Sequence, residues 1–187
     1  SYPNQGCVLR VEPDGSGFEV FAHGLRNPQE PAFDDLGNLI AVDNDADFKG
    51  EKERVVLIPE ASDHGWRCNY QYMGSRSPWL VERLWEKSFP GQSTHHLPPL
   101  EYSTNGPAGF KHDPGTALGP SQRHAFFLHE FPGGVLRGFT LQPKGASFEV
   151  RTSEILSTGI MAVGNAWHPD GSLFAADWDG GYPLNGK

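Results

Sequence analysis

The sequence predicts an all-β chain, an arc of about three blades of a β-propeller that begins and ends mid-blade. Three observations predict it. The 187 residues include 23 Gly and 16 Pro, which disfavours a helical bundle and suits short strands between turns. Short runs rich in β-branched and aromatic residues recur along the chain. Two segments also repeat. EPDGSGFEV (Glu12 to Val20) returns 130 residues later as QPKGASFEV (Gln142 to Val150), and AFDDLGNLIAVDND (Ala32 to Asp45) returns 134 residues later as AWHPDGSLFAADWD (Ala166 to Asp179). That spacing is too long for one four-stranded blade of roughly 40–50 residues and fits two, the first enlarged by an insertion. Residues 1–187 therefore read as one partial propeller domain with a long insertion at about 73–105, the alternative being a small open β-sheet domain.

The elements follow in order. CVLRV (Cys7 to Val11) and Phe18 to Phe21 are strands joined by the Pro13-Asp14-Gly15 turn, an outer pair. A full blade is expected over about 30–72, with strands at Leu39 to Val42 and Arg54 to Ile58 and a turn at Ser62 to Trp66 leading into Arg67 to Tyr72. From Met73 to about Pro99 the regularity fails; Trp79, Leu80, Leu84 and Trp85 suggest one short helix, and His95-His96 reads as a solvent-facing pair. Trp79 and Trp85 are candidates for a recognition surface or for local core. Strands resume at Ala108 to Lys111, His124 to His129, Val135 to Leu141 and Ser147 to Arg151, a second full blade. Asn165 to Trp167 and Leu173 to Ala176 form the closing inner pair.

Composition excludes several functions. A formal charge of -8 and no basic run argue against nucleic-acid binding. No apolar stretch is long enough to span a membrane, and the start has neither a basic nor an apolar signal-peptide region. Cys7 and Cys68 make no disulfide framework and have no zinc spacing.

The chemistry-bearing stretch runs from His23 to Asp47. It opens on a cationic, amide-rich turn, Arg26-Asn27-Pro28-Gln29, and Asn27 before proline is biased to extended or turn geometry. The strand Leu39 to Val42 leads out into Asp43, Asp45 and Asp47, hard oxygen donors suited to Ca²⁺. They make no EF-hand, because Phe48 and Arg54 stand where that loop needs glycine and glutamate. Asp43 and Asp45 recur as Asp177 and Asp179, so they also read as blade architecture, strand-end acceptors for turn N–H groups. Asp47 has no aspartate counterpart and is the more site-like.

GLRNPQ (Gly24 to Gln29), AFDDLGNL, the acidic loop and DHGW (Asp63 to Trp66) resemble the soluble PQQ-dependent glucose/sorbosone dehydrogenases, which are six-bladed propellers. GPAGFKHDPGT (Gly106 to Thr116), QPKGASFEV and PDGSLFAADW resemble one branch more closely: the membrane-associated dehydrogenases of planctomycete-type bacteria, often joined to helical repeats and a cytochrome c domain. The resemblance implies that Arg26, Asn27 and Gln29 line a PQQ pocket, where guanidinium and amide donors suit a tricarboxylate quinone. It implies Ca²⁺ at the loop from Asp43 to Asp47 and at His64, where the sugar dehydrogenases have tyrosine. It further implies a sugar-like substrate, a cytochrome c acceptor or fused domain, and an exported, periplasmic location. The catalytic base, a histidine on an earlier blade, has no counterpart in this chain. A pocket lysine expected near Phe131-Pro132-Gly133 is absent, and Met161 and Val163 stand where an arginine pair is expected.

Three functions are compatible with these residues. The first is part of a quinone-dependent dehydrogenase acting on a sugar or related alcohol or aldehyde. The second is a non-catalytic propeller module that binds calcium, a glycan or a partner protein. The third is a calcium-dependent lactonase-like hydrolase with His64, His129 or Asp43 as base. His112 and His124 read as surface or strand-edge histidines.

Overall fold

The computed structural model describes residues 6–44, 51–86, 88–91, 97–103, 106–116 and 118–178. Asp45, Asp47, Phe48, His95, His96 and Asp179 lie outside the described residues. Among the described residues twelve strands form four antiparallel sheets. β1 (Val8–Arg10) pairs with β2 (Glu19–Ala22). β3 (Pro28–Phe33), β4 (Leu39–Asp43), β5 (Glu53–Leu57) and β6 (Glu101–Ser103) make one four-stranded blade. β7 (Pro107–His112), β8 (Phe126–Glu130), β9 (Val135–Lys144) and β10 (Ser147–Thr158) make a second. β11 (Ala162–Trp167) pairs with β12 (Leu173–Asp177). Two full blades between an outer and an inner pair are the predicted propeller arc.

The repeated hairpin folds the same way twice. Ala32 faces Ile40 and Phe33 faces Leu39 in the first copy, and Ala166 faces Phe174 and Trp167 faces Leu173 in the second. Both turns close alike: Asp34 N donates to Asn38 O at 3.0 Å, and His168 N donates to Ser172 O at 2.9 Å.

The inner strands β3 and β7 begin with proline, and β3 carries a second at Pro31. Proline cannot donate to a ladder and is confined to edges; both strands are the edge of their sheet. β3 packs against β7, and β7 against β11. Gly109 sets the second approach: a Cβ there would lie 2.9 Å from Gly164 Cα.

The second strand of each full blade, β4 and β8, is buried at every position, covered on both faces. One core cluster joins Ile40, Val42 and Val55 to Phe110, Phe126, Leu128 and Phe139 across the two full blades. Phe110 and Phe126 stack with centroids 5.2 Å apart. A second cluster joins Ala41 and Val56 to Ala22 and Leu25. A third places Trp167 and Leu173 on Ala125 and Phe127.

The first blade departs from expectation. Its fourth strand is β6, not Arg67 to Tyr72, so the excursion runs from the end of β5 to Leu100, where Leu100 N donates to Val55 O at 2.8 Å. Asn69 has φ +86°, which breaks the extended run, and α1 (Tyr70–Met73) follows. After a 3₁₀ turn comes α2 (Pro78–Val81). Trp66, Trp79 and Trp85 pack there with Tyr70 and Tyr102 into a separate small core. Trp79 and Trp85 are buried, which removes them as an exposed recognition surface.

Candidate functional site

β3, β7 and β11 lie side by side, and the candidate rim is built at the end of β3 where Pro28 faces Asp43. Its centre is Asp43, at the end of β4. Its carboxylate accepts from Arg26 N at 3.1 Å and Asn27 N at 2.8 Å. Arg54, directly opposite on β5, donates from Nη2 to Asp43 Oδ2 at 2.6 Å, and both side chains are fully buried. Its Nη1 donates to His64 O at 2.9 Å, and the guanidinium lies over the Trp79 ring, 5.3 Å from its centroid. One buried ion pair thus holds the Arg26-Asn27 backbone, the Asp63-His64-Gly65-Trp66 turn and the excursion together.

The turn docks on the same segment. His64 N donates to His23 O and Trp66 N to Gly24 O, each at 2.9 Å. Gly24 has φ +78°, and a Cβ there would fall 2.3 Å from Asp63 Oδ1. Only glycine fits that approach. Arg67 donates to both oxygens of Asp63 and holds its carboxyl down at about 2.

From this base the side chains of Asn27 and Gln29 are exposed, and half-buried Arg26 donates from Nη1 to Asn44 O at 3.0 Å. The three residues expected to bind a cofactor are brought together at the entry of one inner strand. Near the start of β7 and β11 several apolar side chains gather beside exposed Asp177. Phe131 N donates to Gly106 O at 3.0 Å and Phe131 packs edge-on against Trp178, beside Pro132 and Met161. Val163 is 47% exposed and Trp178 50%.

Of the four expected calcium ligands, Asp45 and Asp47 lie outside the described residues, and the other two, Asp43 and His64, are engaged elsewhere. Calcium takes six to eight oxygen ligands. Asp43's oxygens already accept two backbone N–H groups and a guanidinium, whose charge opposes a second cation at that carboxylate. His64 is buried, and burial followed by the charge of Arg54 pushes its imidazole down to about 4, so it is neutral. Its Nε2 meets Ser62 Oγ at 3.1 Å. Among the described residues no three His, Cys, Asp or Glu converge on a point that could hold a metal. Asp43 and His64 therefore do not fit a calcium site; Asp43 is a structural acceptor, the architectural role its repeat suggested.

The hydrolase candidates are equally enclosed: Asp43, His64 and His129 are all buried, and burial also lowers the His129 imidazole. Sequence reasoning missed Arg54 and Trp79 as rim organisers. The available signal was a Glu-Arg pair leading directly into the apolar run Val55-Val56-Leu57, where a buried charge is tolerated only when paired.

Solved structures share this architecture. A glucose dehydrogenase matches with TM-score 0.67 and 22% identity, over 91% of this chain and 51% of its own. The PQQ-bound aldose sugar dehydrogenase of Streptomyces coelicolor matches with TM-score 0.55 and 21% identity, over 82% and 40%. The soluble aldose sugar dehydrogenase of Escherichia coli, in its apo form, matches with TM-score 0.63 and 15% identity, over 91% and 51%. The shared property is the fold. This chain spans about half the length of those proteins. No protein-family profile and no curated protein sequence matches it.

Proposed function

We propose that this chain forms part of a PQQ-dependent dehydrogenase-like propeller that oxidises a sugar or a related alcohol or aldehyde. The observation that carries the reading is the buried Asp43–Arg54 pair, which fixes the Arg26-Asn27 backbone and sets Arg26, Asn27 and Gln29 together at the rim. A guanidinium and two amides suit the carboxylates and carbonyls of PQQ. When bound, the quinone supplies the hydride acceptor; these residues bind and orient it. The fold shared with a PQQ-bound sugar dehydrogenase supports the same reading. Calcium has no role in it at Asp43 or His64. Membership of the planctomycete-type branch, a cytochrome c acceptor or fused domain, and an exported location belong to the proposal through the sequence motifs.

The test is a titration of the protein with PQQ, followed by quinone absorbance, beside Arg26→Ala. Saturable binding weakened tenfold or more by the substitution supports the reading, as expected for loss of a charge-assisted contact. Absence of saturable binding overturns it.

The apolar side chains near the start of β7 and β11, Pro132, Met161 and Val163, favour a second reading. In that reading the arc is a non-catalytic module whose rim docks a partner protein through these residues and Trp178. Trp178→Ala would then abolish partner capture while leaving PQQ without effect.

A further inference from the structure

At the other end of β3 from the rim, a cavity of about 300 Å³ opens between the two full blades. Phe126, Leu141 and Phe148 of the second blade line it together with Asp35, His112 and His124, of which Asp35 and His124 are exposed. Leu36, 84% exposed, overhangs it from the β3–β4 turn. A half-open, mostly apolar cleft of that size, at the small end of ligand sites, with a few polar groups in its lining can take a small molecule.

The polar lining comes from both blades. Asp35 comes from the β3–β4 turn; His124 Nδ1 bonds its Oδ2, and His112 Nδ1 lies 3.9 Å from its Oδ1. His124 holds φ +63°, a left-handed conformation that costs a non-glycine residue on the order of 1 kcal/mol or more. Buried Asp113 holds it there, accepting from His124 N at 2.9 Å. His112 is held edge-on against Phe126, with centroids 4.6 Å apart.

The lining sets two carboxylates, Asp34 and Asp35, beside the imidazoles of His112 and His124. Asp34 also lines the cavity; burial pushes its carboxyl up, but bonds from Asn38 and Leu36 and the charge of His112 hold it below its usual value. Among the described residues no lysine or arginine lines the site. Asp34 is engaged by its own turn, through bonds from Leu36 N, Asn38 N and Asn38 Nδ2. Asp35 is 51% exposed, and a carboxylate has about four lone-pair positions, so Asp35 can accept from a ligand.

We propose that this cavity binds a small organic cation, an ammonium group carried on an aromatic or aliphatic body. The ammonium donates to Asp35, and the body lies on Phe126, Leu141 and Phe148. The site is remote from the rim and does not depend on what the rim binds.

The probe is phenethylammonium, titrated into the protein by calorimetry and by amide NMR, with phenylacetate and 2-phenylethanol as the anionic and neutral counterparts. The expected result is saturation by the ammonium alone, with shifts at Leu36, Leu141 and Phe148. Asp35→Asn, a near-isosteric change on an exposed turn, should weaken it about tenfold by removing the charge-assisted bond. Phe148→Ala should reduce the affinity toward that of methylammonium. Equal binding of phenylacetate or phenylethanol, an unchanged affinity in Asp35→Asn, or no saturation by phenethylammonium would each overturn the proposal.

Discussion

Arg54 Nη2 lies 2.6 Å from Asp43 Oδ2 with neither side chain exposed, so the rim is organised around an ion pair that water does not reach. Such a pair contributes little net stability over an apolar substitute, but removing one partner strands the other charge. Asp43→Asn and Arg54→Met should each cost about 3–5 kcal/mol in urea denaturation. The double variant should cost clearly less than the two single values added together, because the stranded charge is then gone. Additive losses would show that the pair is not coupled.

Acid should destabilise the protein in a defined window. His64 titrates at about 4 when folded and at 6.5 when free. Between those values the unfolded chain binds the extra proton, so stability falls as pH drops from about 6.5 to about 4, by up to about 3 kcal/mol from this residue. His129, also lowered by burial, adds in the same direction. His64→Gln should flatten the dependence of the urea midpoint on pH across that window. An unchanged slope would mean that His64 is solvated.

Two glycines with the same backbone sign should behave differently. Gly24→Ala places a Cβ 2.3 Å from Asp63 Oδ1 and 2.6 Å from Gly65 N, and should cost about 2 kcal/mol or more. Gly37→Ala, at φ +84° with nothing within 4 Å, should cost only the backbone strain, about 1 kcal/mol. Thermal melts of the two variants side by side make the comparison, and equal losses would refute the docking role of Gly24.

The interblade core should respond as a packed interior. Phe126→Ala removes a ring stacked on Phe110 and Phe139 and should cost about 3–5 kcal/mol. Phe33→Ala, at a ring 62% exposed, should stay within about 0.5 kcal/mol.

Much of the fold was legible in the sequence because its signals are local. Leu39 to Val42 and Val135 to Leu141 are apolar and branched enough to be strands anywhere, and the Asp34-to-Asn38 and His168-to-Ser172 turns carry the same register into both copies of the hairpin. β6 was not legible: Glu101-Tyr102-Ser103 has no strand pattern of its own and is extended because β5 offers it a free edge. The site was legible as a place more than as a set of roles. Arg26, Asn27 and Gln29 do gather at the rim, since they are neighbours in sequence. Asp43 was singled out for its charge, but its role depends on Arg54, which faces it only once the β4–β5 register exists. The family resemblance alone points to His64 as a calcium residue, and a four-residue motif carries no sign of the burial that the structure shows.

The position of Trp79 has a consequence for how the molecule comes apart. Long excursions between strands ordinarily open first and independently of the sheet that carries them. Here Trp79 covers the Arg54 guanidinium and its indole N–H bonds Glu51, so peeling the excursion away would hydrate a charge that the blade depends on. The excursion and the blade should therefore exchange their amide hydrogens in one cooperative unit, and a protease should find no early cut between β5 and α2.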